Sequence, residues 1–177
     1  MTSAELSFLE ERLISTEAHL LELLAPIVGE QWTFRETSER WSLAENLEHL
    51  VLFELFIRKT IAKILSEPAY TGDAPAIDDA HVMALREVGT TKLISRDVAL
   101  PKNSLGTLET LLHRFQRGRA KTITFARSLR GDLRAHRFAH LVLGELDAYQ
   151  WLLVIAQHTE RHIAQMKAVM ADPHFPR

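Results

Sequence analysis

Apolar residues recur every three or four positions through four long stretches of the chain, the period of an amphipathic helix. The first stretch runs from about Ala4 to Leu24, with Leu6, Leu9, Leu13, Leu20 and Leu24 on one side. Thr2 with Glu5 three residues on forms a capping-box pattern at its start, and Pro26 and Gly29 end it. The second opens at Ser42, where Glu45 completes another capping box, and carries Leu47, Leu50, Phe53, Ile57, Ile61 and Leu65 before Pro68. The third spans about Thr107 to Leu129, apolar at Leu108, Leu111, Leu112, Phe115, Ile123 and Phe125. The fourth opens at Asp147, an N-cap with Gln150 in the reciprocal position, and runs to about Ala171 before Asp172-Pro173. Each covers roughly 20–25 residues, about 30–37 Å of helix. Four helices of matched length predict an all-α four-helix bundle.

The connections are unequal. Residues 68–103 form one long link containing Pro68, Gly72, Pro75, Gly89 and Pro101. A link above roughly 15 residues is usually functional or a crossover, and this one is long enough to set the second and third helices parallel. Its segment Lys92–Leu100 alternates too poorly to predict a strand. With no internal repeat and no low-complexity tract, residues 1–177 read as a single domain.

Composition narrows the function classes. The 177 residues are 46% hydrophobic and 25% charged, ordinary for one globular domain. With 21 basic against 23 acidic residues, no overall positive field points to nucleic acid. A basic row on the third helix (Arg114, Arg117, Arg119, Lys121, Arg127 and Arg130) has no interleaved aromatic platform and reads as a solvated face. No uncharged apolar run approaches the roughly 18 residues of a membrane span. Glu5, Glu10 and Glu11 stand where a signal peptide would carry positive charge, so a cytoplasmic protein is expected. Cysteine is absent, which removes disulfides, thiolate ligands and a cysteine nucleophile.

The nine histidines carry the chemistry. His158 and His162 are spaced i, i+4, so their imidazoles leave one helix face a turn apart. That stripe also holds Trp151, Ile155, Met166 and Val169, so it faces inward. Buried imidazoles need partners, and either a divalent metal or side-chain hydrogen bonds would satisfy them. The spacing alone is weak, since nine histidines give about half such a pair by chance, and His136–His140 repeats it in a stretch that reads as a loop. His49 adds to it. It shares a stripe with Glu45, Leu52, Phe53 and Phe56. If the second and fourth helices are antiparallel, it lies at nearly the same level as the pair. Three histidines without a fourth protein ligand describe an open, catalytic-type metal site.

Trp41-Ser42 leading into Glu45-Asn46-Leu47-Glu48-His49-Leu50 resembles the opening of the second helix in the DinB/YfiT-like family. The stretch from His140 through Gly144 to Trp151, followed by His158-Thr-Glu-Arg-His162-Ile-Ala-Gln165, resembles its fourth-helix signature. The resemblance covers essentially the whole chain. It implies a four-helix bundle in up-down-down-up order and a metal triad of His49, His158 and His162. Members of this bacterial-type family include thiol-dependent transferases, a thiol-dependent isomerase and proposed metal-dependent hydrolases, and some belong to stress regulons. It therefore implies one divalent metal ion (zinc, nickel or iron, with copper also suited to imidazoles), a small-molecule substrate and, in some members, a low-molecular-weight thiol. Family members often dimerise, and leftover apolar residues on the first and fourth helices suit a homodimer interface.

Two site classes are disfavoured. Thr159 stands where a zincin needs Glu, and no Glu is followed by His three residues later, as a di-iron carboxylate bundle requires. Glu45, Glu54 and Gln165 are candidates to orient the ligands, with helix capping the stronger role for Glu45. His140 is expected in a loop hydrogen bond, His113 and Glu160 in solvent, and His19, His81, His136 and His174 in surface or loop positions. Three functions follow: a metalloenzyme that activates water or an external thiol, a non-catalytic metal-stabilised binding or stress-response module, and a metal-free helical interaction protein.

Overall fold

The computed structural model describes residues 1–73, 75–84, 99–104 and 106–177. Its long helices are α1 (Ser3–Leu24), α2 (Leu43–Ile64), α4 (Leu108–Ser128) and α5 (Ala148–Met170), within a residue or so of the predicted bounds. The reason is local. All three capping boxes form: Thr2 with Glu5, Ser42 with Glu45, and Asp147 with Gln150. Thr107 caps α4 through the Thr110 amide.

Among the described residues, one short α-helix and two strands were not anticipated. A five-residue helix, α3 (Asp79–Met83), lies within the long connection. Strands β1 (Arg137–His140) and β2 (Gly144–Asp147) form an antiparallel hairpin, Arg137 opposite Asp147 and His140 opposite Gly144. The protein is thus mostly helical with a small two-stranded sheet, and the stretch around His136–His140 is a strand rather than a loop. Gly144 supplies the left-handed residue, φ 81°, that closes a three-residue hairpin loop. The apolar run from Leu141 to Leu143 in that loop hides any period-2 signal. The expectation for Lys92–Leu100 lies outside the described residues, except at Ala99 and Leu100.

Helix α2 packs along α4 and α5, and α1 packs along α5 and α4. Residue numbers rise together along α1 and α5: Tyr149 Oη donates to the Glu5 carbonyl, and His19 meets Glu160. They run oppositely along α1 and α4, where Glu10 meets Arg127 and Thr16 meets Arg119. They run oppositely again along α2 and α5, where Asn46 meets His162 and His49 meets His158.

Among the described residues, two apolar clusters fill the interior. One gathers Leu9, Leu13, Ile57, Ile61, Leu152 and Ile155, the other Leu20, Leu24, Leu47, Phe115, Ile163 and Met166. Between them lies a polar layer with one residue from each long helix: Thr16, Glu54, Arg119 and Thr159. Arg119 is 0% exposed, so it does not belong to the solvated basic face, whereas Arg114, Arg117, Lys121, Arg127 and Arg130 are exposed. It stands one turn after buried Phe115, on the inward side, and its guanidinium lies over that ring at 5.3 Å.

Candidate metal centre

Asn46 and His49 leave neighbouring turns of one face of α2, and His158 and His162 do the same on α5. The opposed run of these helices brings the three histidines together. Their ring centroids lie 4.5–5.0 Å apart, and candidate ligand nitrogens from all three fall within 4.8 Å of one another. His49 and His162 are buried, and His158 is partly so.

The contacts of each ring are specific. His49 Nδ1 lies 2.7 Å from the Ala99 carbonyl oxygen, so this nitrogen carries the proton and donates it. That leaves His49 Nε2 bare, and it faces His158 Nε2 at 2.8 Å. His162 Nδ1 lies 2.7 Å from Asn46 Oδ1. Trp41 stacks over His162 with centroids 6.1 Å apart, and Phe53 stacks on His158 at 3.9 Å. The rings are therefore walled by aromatics.

Electrostatics favours neutral imidazoles. Burial lowers the pKa of His49 to about 4, with the charge of Arg161 adding to it. His158 and His162 are pushed well below their ordinary value by burial, by their neighbouring histidines and by Arg161. The neutral ring is the form that binds a metal. Two nitrogens facing at 2.8 Å need a proton or a cation between them, and on a tetrahedral zinc such nitrogens sit about 3.3 Å apart. The residues present fit a divalent ion. Its three neutral ligands would leave the full double charge to act on a further ligand.

The other candidates sort clearly. Glu45 caps α2 and pairs with Arg35, and Glu54 pairs with Arg119, so neither orients a histidine. Gln165 is half-buried on the next turn of α5. His140 Nδ1 accepts from the Val142 and Leu143 amides, a loop hydrogen bond as expected, and its ring lies against Trp151 at 5.1 Å. His136 and His140 lie on extended chain, so their spacing spans about 13 Å instead of one helical turn. His113 is exposed, as expected. Glu160 is instead partly covered and meets His19 at 3.1 Å. The orienting groups that pattern reading missed are Asn46 and the Ala99 carbonyl. Asn46 carried a signal, a polar residue one turn before His49 on the inward face. A backbone carbonyl 50 residues away carries none.

This arrangement, three converging histidines between two antiparallel helices, defines a candidate mononuclear metal centre in a helical domain. The chain belongs to the DinB superfamily: a family model of that description matches residues 12–166, which include all three histidines. No curated protein matches the chain. Among the described residues, no helix is long and apolar enough to cross a membrane.

Proposed function

We propose that this protein is a metalloenzyme built on an up-down-down-up four-helix bundle, with one divalent ion held by His49, His158 and His162. The helix directions along α1–α5, α1–α4 and α2–α5 support that topology. The observation that carries the site is the facing pair of Nε2 atoms, His49 and His158, at 2.8 Å beside His162. An ion held there lowers the pKa of a water or small-molecule thiol that reaches it, which suits hydrolysis or thiol transfer. The chain has no cysteine, so a thiol nucleophile comes from a low-molecular-weight cofactor. Ala99 keeps the proton of His49 on Nδ1, and Trp41 and Phe53 shield the rings from water. Zinc, nickel and iron all suit three imidazoles. The reading includes a small-molecule substrate, a cytoplasmic setting, a homodimer, and no nucleic-acid or membrane partner.

A second reading is a non-catalytic, metal-stabilised stress-response module. The ligands join α2 to α5, so an ion there also ties two helices together. Elemental analysis of the untagged protein beside His49→Ala tests the site. About one metal per chain, lost in the variant, is the expected result. No metal in either, with no uptake of added zinc or nickel, overturns both readings. Metal-dependent turnover in a screen of thiols and electrophiles separates the enzyme from the module.

A further inference from the structure

We infer that Asn46 is a positioning residue that decides which nitrogen of His162 carries the ring proton and which is left bare. Asn46 is 1% exposed, and every polar atom of its side chain is engaged. Its Nδ2 donates to the Ser42 carbonyl at 2.8 Å and to the Trp41 carbonyl at 3.2 Å. Carbonyls only accept, so the amide cannot turn over, and Oδ1 is fixed toward His162. An amide oxygen also only accepts. The His162 nitrogen 2.7 Å away, Nδ1, therefore carries the ring proton.

A neutral imidazole has one proton, so Nε2 is left with a free lone pair and is the nitrogen of this ring that remains for a metal. The Ala99 carbonyl does the same for His49, but as backbone it cannot be changed by a side-chain substitution. Asn46 can. It is also a neutral group, so it sets the tautomer without adding negative charge beside the imidazoles.

The tautomer follows from Asn46 alone, while its consequence for metal rests on the reading above. The test is nitrogen-15 NMR of the histidine rings in the metal-free protein, with zinc affinity measured by chelator competition. Wild type is expected to hold His162 protonated on Nδ1, and Asn46→Leu to show the Nε2-protonated form and bind zinc about 10–100-fold more weakly. Asn46→Asp keeps an acceptor but loses both donated bonds, and is expected to bind zinc close to wild type. A merely structural role for the amide would weaken the Asp and Leu variants equally, and that result overturns the inference. So does a wild-type His162 protonated on Nε2, a result that needs no variant to fold. A protein that takes up no zinc sinks the metal site, yet the ring signals still decide the role of Asn46.

Discussion

Arg119 on α4 and Glu54 on α2 face each other in the middle of the protein, Nη2 and Oε2 3.2 Å apart, with the arginine wholly out of solvent. The same guanidinium donates to the Leu13 carbonyl and to the hydroxyls of Thr16 and Thr159, so it touches all three other long helices. Removing one member of a buried pair strands the other charge, which costs more than the pair itself contributes.

The expected loss for Arg119→Leu is therefore large, about 3–5 kcal/mol of unfolding free energy in urea. Glu54→Leu in the same chain should return a good part of it, because no buried carboxylate is then stranded, while Arg58, 3.9 Å from Glu54, keeps its bonds to the Gly118 carbonyl and the Thr122 hydroxyl. A double variant as unstable as the single one would mean that the packing around the guanidinium, and not its charge, sets the cost.

Acid should destabilise the metal-free protein, and the sign follows from His49. Its folded pKa is lowered to about 4 by burial, while an unfolded imidazole titrates near about 6.5. Below that pH the unfolded chain takes up a proton that the folded chain refuses. Stability is therefore full above about pH 6.5 and falls as pH drops toward 4. A gap of that size amounts to about 3 kcal/mol for His49 alone, and His158 and His162 are pushed the same way. Urea midpoints with chelator present should fall between pH 7.5 and 4.5, and less steeply for His49→Gln. Equal midpoints at the two pH values would contradict the burial of neutral imidazoles.

The long helices and the three histidines were legible because both follow the helical period. Capping boxes at Thr2, Ser42 and Asp147 mark the starts, and the spacing of His158 and His162 places them on one face. The hairpin was not legible, since four-residue strands joined through Leu141–Leu143 give no alternation. Arg119 was misread for a physical reason. Its position, one turn after Phe115, is an inward one, but an arginine is rarely buried without a partner, and Glu54 lies 65 residues away in sequence. The contacts that orient His49 and His162 depend likewise on tertiary proximity.

Zinc should stabilise the folded chain by mass action. At about 1,000 times its dissociation constant, an ion that binds only the folded state adds about 4 kcal/mol. The melting temperature should rise with zinc in wild type and stay unchanged in His162→Gln at the same concentrations. A rise of equal size in both proteins would place the stabilising ion somewhere other than the three histidines.

Glu48 precedes His49 on α2. It is 2% exposed and holds the segment leading into α4: its carboxylate accepts from the Asn103 amide at 2.8 Å, the Ser104 amide at 3.0 Å and the Ser104 hydroxyl at 3.1 Å. Asn103 is held in the left-handed region, φ 54°, which asparagine tolerates better than most residues. The same stretch includes Ala99, whose carbonyl accepts from His49. Glu48 thus supports its sequence neighbour His49 through a loop 50 residues on. Glu48→Ala leaves these amides without their acceptor, a loss of about 1–3 kcal/mol for a buried group. Hydrogen exchange at Asn103 and Ser104 should quicken and zinc affinity should fall together, with Glu48→Gln, which keeps one acceptor oxygen, in between. Faster exchange with unchanged zinc affinity would show that Ala99 holds His49 without help from Glu48.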